Sequence, residues 1–348
     1  MPLRTPGDQD ILRRLARVNW IHQRMERPDR TEGGVLFKSQ VGSRAGEPWF
    51  YRQIPMNNTT TALTARPAVR RLAPVRLIAL FALLLAGDIG AQLARIWAFK
   101  HATPTSRDWV GLGVSLVLGA MLVALYIALV WGFERRKARE ISPSGLQALA
   151  GVAVGLALFA TVFAILGAAG VARWGDVSSH FDVIPVLAAS IVAAIGEELA
   201  FRGGVFRVLE DSLGTFWALI CSAAVFGLLH ALNPGATVLS TLAIALEAGI
   251  LLGAAYALTR NLWFAIGLHL GWNFTEGGVF GVSVSGFSTG KGIFTVALSG
   301  PTLLTGGKFG PEASIVAIAV CLAAALVLLA LAVRRGLWRP ASARFVLD

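Results

Sequence analysis

Ala194-Ile195-Gly196-Glu197-Glu198-Leu199-Ala200-Phe201-Arg202-Gly203-Gly204 puts two adjacent carboxylates and a guanidinium inside a long run of apolar and small residues. A charge in hydrocarbon is costly unless it is paired, neutralised or hydrated, so ionisable residues in such a run are functional candidates. Each helical residue advances about 100°. Glu198 and Arg202, four apart, therefore share a face, while Glu197 points away from that arginine. The spacing predicts Glu198 paired with Arg202 and Glu197 left free for chemistry. The alternative is a structural polar cluster that holds helices together.

The surroundings set the solvent. Hydrophobic residues make up 55% of the 348 positions and charged residues 15%, too apolar a balance for an ordinary soluble domain. The expected fold class is an all-α membrane protein, a bundle of about eight transmembrane helices with a polar intramembrane site. The formal net charge of +11 concentrates in the first 76 residues, in the connection after Phe133 and in the C-terminal tail. That is the pattern of anchoring beside anionic lipid, and it argues for the lipid bilayer as a partner and against nucleic acid. Cys221 and Cys321 lie in apolar runs and read as small core residues with no disulfide framework.

Residues 1–74 are polar and contain no spanning run. Asp10 to Met25 has the pattern of a basic amphipathic helix, and the plainer expectation is a weakly ordered cytoplasmic tail. A further alternative is that translation starts at Met56. Eight runs then reach or approach membrane-spanning length: about 75–99, 109–133, 146–170, 183–208, 215–233, 236–258, 261–281 and 312–333. Together they define a membrane domain over 75–333 with a catalytic core near 183–281, followed by a basic tail over 334–348. Residues 282–311, rich in Gly and Ser, read as the one long connection. An even number of spans puts both termini on one side. Placing them in the cytoplasm gathers Arg135, Arg136, Lys137, Arg139, Arg202, Arg207, Arg260 and the tail arginines inside, and leaves Lys100, Arg107, Arg173, Lys291 and Lys308 outside. Ala245, Gly249, Gly253 and Ala257 form a small-residue ladder suited to close helix packing.

Two more polar pairs sit in apolar helices: Phe226 with His230, and His269 with Asn273. A lone histidine in such a helix is usually a satisfied core residue, so the functional case rests on several groups meeting. If runs four and five turn back near Leu213-Gly214, Glu197 and His230 both lie about 25 Å from the turn at 1.5 Å per residue. His269 lies about 13 Å from the turn at Arg260-Asn261 by the same arithmetic. A carboxylate, two imidazoles and an amide then approach one level. They are sufficient for hydrolysis: an acid in an apolar site as general base, and imidazole and amide as oxyanion donors. Zinc held by Glu197, His230 and His269 is the rival account, although no His-Glu-x-x-His motif is present. Asp88, Gln92, Arg95, Glu247 and Glu276 are further polar groups in apolar runs. Glu247 reads as a cavity-facing substrate contact or as a packing residue.

At Glu197-Glu198 with Arg202, Phe226 with His230, and His269 with Asn273, the sequence resembles the CPBP intramembrane proteases. This is the CAAX protease and bacteriocin-processing family, which includes the type II CAAX prenyl endopeptidases. The resemblance covers roughly residues 130–310, including Glu134-Arg135-Arg136 and the approach from Leu262-Trp263 to His269. It implies an eight-helix intramembrane endopeptidase with catalytic residues Glu197, His230, His269 and Asn273. Glu197 and His230 would activate water, His269 and Asn273 would stabilise the oxyanion, and Glu198, Arg202 and Phe226 would support them. It implies a membrane protein or lipidated peptide as substrate and no cofactor, with a zinc-dependent version of the same protease as an alternative. The competitors are a catalytically silent scaffold or bacteriocin self-immunity protein, and a transporter. The alanine- and arginine-rich composition suggests a bacterial cytoplasmic membrane.

Overall fold

The structure is a computed structural model that describes residues 29–31, 34–39, 50–55 and 73–341. The chain separates into two compact units, Met1–Arg71 and Leu72–Asp348. In the first, β1 (Asp29–Thr31), β2 (Gly34–Ser39) and β3 (Phe50–Pro55) form an antiparallel three-stranded sheet in the order β1-β2-β3. The amphipathic segment Asp10–Met25 and Met56 lie outside the described residues.

The second unit is helical. It contains α1 (Ala73–His101), α2 (Arg107–Leu129), α3 (Gly145–Ala168), α4 (Val183–Glu198), α5 (Arg207–His230), α6 (Val238–Ile244), α7 (Ile250–Thr259), α8 (Leu262–Phe274), the short α9 (Thr302–Thr305) and α10 (Ile315–Arg334). Six helical segments among the described residues are long and apolar enough to cross a membrane. One of them, Val183–His230, is broken at Gly214 by a non-helical φ of 78°. It accounts for runs four and five, and α8 with its continuation to Val279 accounts for run seven, which recovers the eight expected crossings. Many large apolar side chains face outward, including Leu93, Leu116, Met121 and Leu326, with Trp97, Trp109 and Trp131 exposed near helix ends. Such a surface is matched to lipid with an interfacial aromatic belt.

Four widened π-helical segments interrupt these helices: Val130–Glu134, Leu199–Phe206, Ala245–Gly249 and Thr275–Val279. Wider turns shift the register of everything beyond them and are frequent at functional sites. Here they hold Glu134, Arg202, Glu247 and Glu276. Gly214 allows the reversal because a side chain there would be strained in φ and would also meet the tail backbone, with Arg339 O at 2.8 Å.

The helix that carries His269 and Asn273 is set by one crossing. Gly267 and Gly271 of α8 face Gly151 and Gly155 of α3. A Cβ at Gly267 would lie 2.1 Å from Ala148 O, and one at Gly155 2.2 Å from Leu268 O. Backbone lies on backbone, the close approach that paired small residues allow. The aromatic cluster beside it fixes the same pair of helices: Phe159 meets Trp272 edge-on at 4.8 Å, and Phe163 stacks on Phe280 at 4.0 Å. The predicted ladder on run six also packs, with a Cβ at Gly249 falling 2.8 Å from Ala223 Cα of α5.

Residues 282–311 are more than a connection. β5 (Phe294–Leu298) pairs antiparallel with β4 (Ala172–Val177), with a register shift between Trp174 and Val177. The segment then folds inward, so that Phe309 is buried and its carbonyl accepts the Gly286 N–H at 2.7 Å.

At the end of α2, Arg136 bridges Glu134 (2.6 Å) and both oxygens of Glu140 (2.6 and 2.8 Å), while Arg207 holds Glu134 and the Gly203 carbonyl. Tyr126 donates to Glu140 at 2.5 Å. This network ties the α2–α3 connection to the segment following Glu198. Burial would raise the Glu140 carboxyl, but hydrogen bonds from Arg136 and Tyr126 outweigh it and hold the group below the usual carboxylate range. A depressed carboxylate contributes stability above its unfolded value of about 4.3 that is lost as pH falls through the folded value. The melting temperature of the detergent-solubilised protein should therefore drop as pH falls below about 4, and Glu140→Gln should flatten that acid dependence. An acid slope identical to wild type would contradict it. Gly267→Val should destabilise by about 1–3 kcal/mol through overpacking, measured as a lower thermal midpoint.

Candidate active site

The expected residues converge. Glu198 and Arg202 are fully buried and paired, Arg202 Nη1 donating to Glu198 Oε1 at 2.9 Å. Arg202 Nη2 donates to the carbonyls of Ala248 (3.1 Å) and Gly249 (3.2 Å), in the widened turn before α7. Its guanidinium lies 4.6 Å from the Phe226 ring centroid. Phe226 is packed on its other contacts by Phe201 (4.8 Å) and by the His230 ring (4.5 Å). The spacing of Phe226 and His230 thus has a physical cause: one ring carries both a cation and an imidazole.

The two histidines are oriented through their Nδ1 atoms. His230 Nδ1 lies 2.8 Å from the Phe226 carbonyl, which only accepts, so Nδ1 carries the proton. His269 Nδ1 lies 3.1 Å from Glu198 Oε1, the same oxygen that takes the arginine. Both Nε2 atoms then face Glu197 Oε2, at 3.9 Å for His230 and 4.0 Å for His269. Those gaps exceed a hydrogen bond and match a separation bridged by one water. Glu197 Oε2 is itself buried with no protein partner. Asn273, one turn beyond His269, lines a cavity of about 20 Å³ together with both histidines, Phe226 and Trp272, large enough for one water.

Asp88 of α1 lies against Gly196, so close that a Cβ there would sit 2.0 Å from Asp88 Oδ1. It buttresses the backbone immediately before Glu197. Glu247 lines the cavity, as does Glu312, a residue the sequence reading passed over as the start of the last span, and Ser285 from the long connection joins them. The only sequence signal for Glu312 was an acid at the edge of an apolar run.

Glu197, His230 and His269 are a conceivable zinc donor set, so their fit matters. Ligands 2.0–2.1 Å from a tetrahedral zinc stand about 3.4 Å apart, and the observed nitrogen–oxygen separations of 3.9 and 4.0 Å are wider. Among the described residues no three His, Cys, Asp or Glu side chains group as a metal site. The metalloprotease-like reading thus finds no support in this donor set.

A buried pair that loses one member leaves an uncompensated charge, costing about 3–5 kcal/mol. Arg202→Leu should therefore destabilise strongly, while Arg202→Leu combined with Glu198→Leu should recover part of the loss. Thermal unfolding in a double-mutant cycle measures this, and additive effects would contradict the coupling.

No curated protein and no solved structure matches the chain. Residues 179–275 match the family model described as type II CAAX prenyl endopeptidase Rce1-like. That match contains Glu197, Glu198, Arg202, Phe226, His230, His269 and Asn273. The segment that holds the site is therefore similar to the Rce1-like type II CAAX prenyl endopeptidases, the group its three motifs resemble.

Proposed function

We propose that the protein is an intramembrane endopeptidase that hydrolyses a peptide bond of a membrane protein or lipidated peptide, using water activated by Glu197 and His230. The observation that carries this reading is the bare Glu197 Oε2 facing two imidazole Nε2 atoms at 3.9 and 4.0 Å. A water seated there donates one hydrogen to the carboxylate and the other to His230 Nε2, whose Nδ1 already carries a proton. Its oxygen lone pair is left for the scissile carbonyl. Glu197 takes the proton as the carbon–oxygen bond forms and delivers it to the leaving amine as the carbon–nitrogen bond breaks.

The developing oxyanion needs donors. His269 offers Nε2–H in its doubly protonated form, with the carboxylates of Glu197 and Glu198 on either side of the ring. The Asn273 amide adds a second donor from the same helical face. Glu198, Arg202 and Phe226 act by holding the two imidazoles. With both termini cytoplasmic, cleavage occurs in the cytosolic half of a bacterial membrane. No step passes through a metal.

Glu197→Ala and His230→Ala should each abolish cleavage of a lipid-anchored reporter peptide in proteoliposomes while leaving the thermal midpoint nearly unchanged. Asn273→Ala should cost about 100- to 1000-fold in kcat, the usual loss for one oxyanion donor. Cleavage that persists unchanged in the Glu197 and His230 variants would remove both from the mechanism, and absence of cleavage by the wild type would favour the silent-scaffold reading. A chelator that removes activity, with zinc restoring it, would overturn the metal-free mechanism.

A further inference from the structure

Beside the two histidines lies a second polar layer that hydrolysis does not use. Glu247, Glu276 and Glu312 come from three separate parts of the chain and are 1%, 0% and 2% exposed. Glu312 Oε1 accepts the Ser285 N–H at 2.5 Å, and Glu247 Oε2 accepts the Cys321 thiol at 3.4 Å. The other oxygen of Glu247, Oε1, is buried with no hydrogen-bond partner. Glu247 and Glu312 line the cavity that His230, His269 and Asn273 also line. Arg202 is already committed to Glu198 and to two backbone carbonyls.

Carboxyls placed in an apolar interior need a partner, and an open acceptor on a cavity wall points to a ligand that donates. The chemistry of that ligand is narrow. The described residues include no group of three able to hold a metal ion. A cavity of about 20 Å³ takes a group the size of one water, which an ammonium matches and a planar guanidinium does not. Ile244, Leu251, Leu252 and Leu268 also line this cavity; its volume takes the ammonium alone, so a tetramethylene stem lies outside it.

We propose that this acid-walled cavity is a substrate subsite for a lysine-type ammonium near the scissile bond, with Glu247 and Glu312 as its acceptors. The substrate assignment rests on the endopeptidase reading, and binding can be tested apart from it. In thermal melts of the full-length protein in lipid nanodiscs, n-butylammonium should raise the midpoint, and n-butanol or sodium at the same concentration should not. Glu247→Gln and Glu312→Gln should each reduce that shift. An equal shift with sodium, or a butylammonium shift unchanged in both variants, would overturn the subsite.

Cleavage then tests the substrate class. Lipid-anchored peptides that carry either lysine or norleucine, stepped through the positions flanking the cut, should reveal one position where lysine raises kcat/KM about tenfold or more. Glu247→Gln should bring that ratio towards one. A ratio near one at every position, with Glu197-dependent cleavage intact, would sink the subsite and leave the protease standing. A butylammonium shift lost in Glu247→Gln, without any Glu197-dependent cleavage, would uphold the cation site and remove the protease.

Discussion

Glu198 and Arg202 are both at zero exposure in a chain built largely of apolar residues. Taking two charges out of water costs several kcal/mol per ion, and their attraction offsets this only with further hydrogen bonds from the surroundings. The partners come from everywhere around them. Ala248 and Gly249 give carbonyls from a widened turn, where the regular helical ladder is loosened, Phe226 gives a ring face, and His269 gives an Nδ1–H. The ion pair is therefore stable only when α4, α5, α7 and α8 have assembled, and their assembly is what brings His230, His269 and Asn273 to one cavity.

The adjacent carboxylates divide along the same line. Glu198 Oε1 takes both a guanidinium and an imidazole while its Oε2 has no partner, whereas Glu197, about 100° round the helix, turns an unpartnered Oε2 towards two imidazole nitrogens. What sets Glu197 apart is the place of its open oxygen between two oriented imidazoles, the arrangement that the proposed general base uses. The lock at Glu134, Arg136, Glu140 and Arg207, and the Asp88 side chain against Gly196, both hold the helical segment that carries this arrangement.

Much of this was legible beforehand because the signals were local or periodic. The pairing of Glu198 with Arg202 follows from four-residue spacing, and the level shared by Glu197 and His230 follows from equal distances to Gly214. Run lengths gave the eight crossings. What could not be read depends on contacts between distant segments. The α3–α8 crossing looks like scattered glycines until Gly151 and Gly155 are set against Gly267 and Gly271. The β4–β5 ladder joins short strands over 100 residues apart, one of them inside a Gly- and Ser-rich stretch. That stretch read as a long connection, yet it folds inward and brings Ser285 to the cavity, where Glu312, the residue just after it, also lies. Helical wheels also assume about 100° per residue, so widened turns such as Ala245–Gly249 shift a face in a way periodicity cannot register.

The central claim concerns one small volume, bounded by Glu197 Oε2 and the Nε2 atoms of His230 and His269. An experimental map of the protein in lipid, at a resolution that shows ordered solvent, tests it most directly. The account predicts a single water within hydrogen-bond distance of Glu197 and His230, adjoining the cavity lined by His269 and Asn273. A Glu197 carboxylate bonded directly to either imidazole, or turned towards lipid, would contradict it.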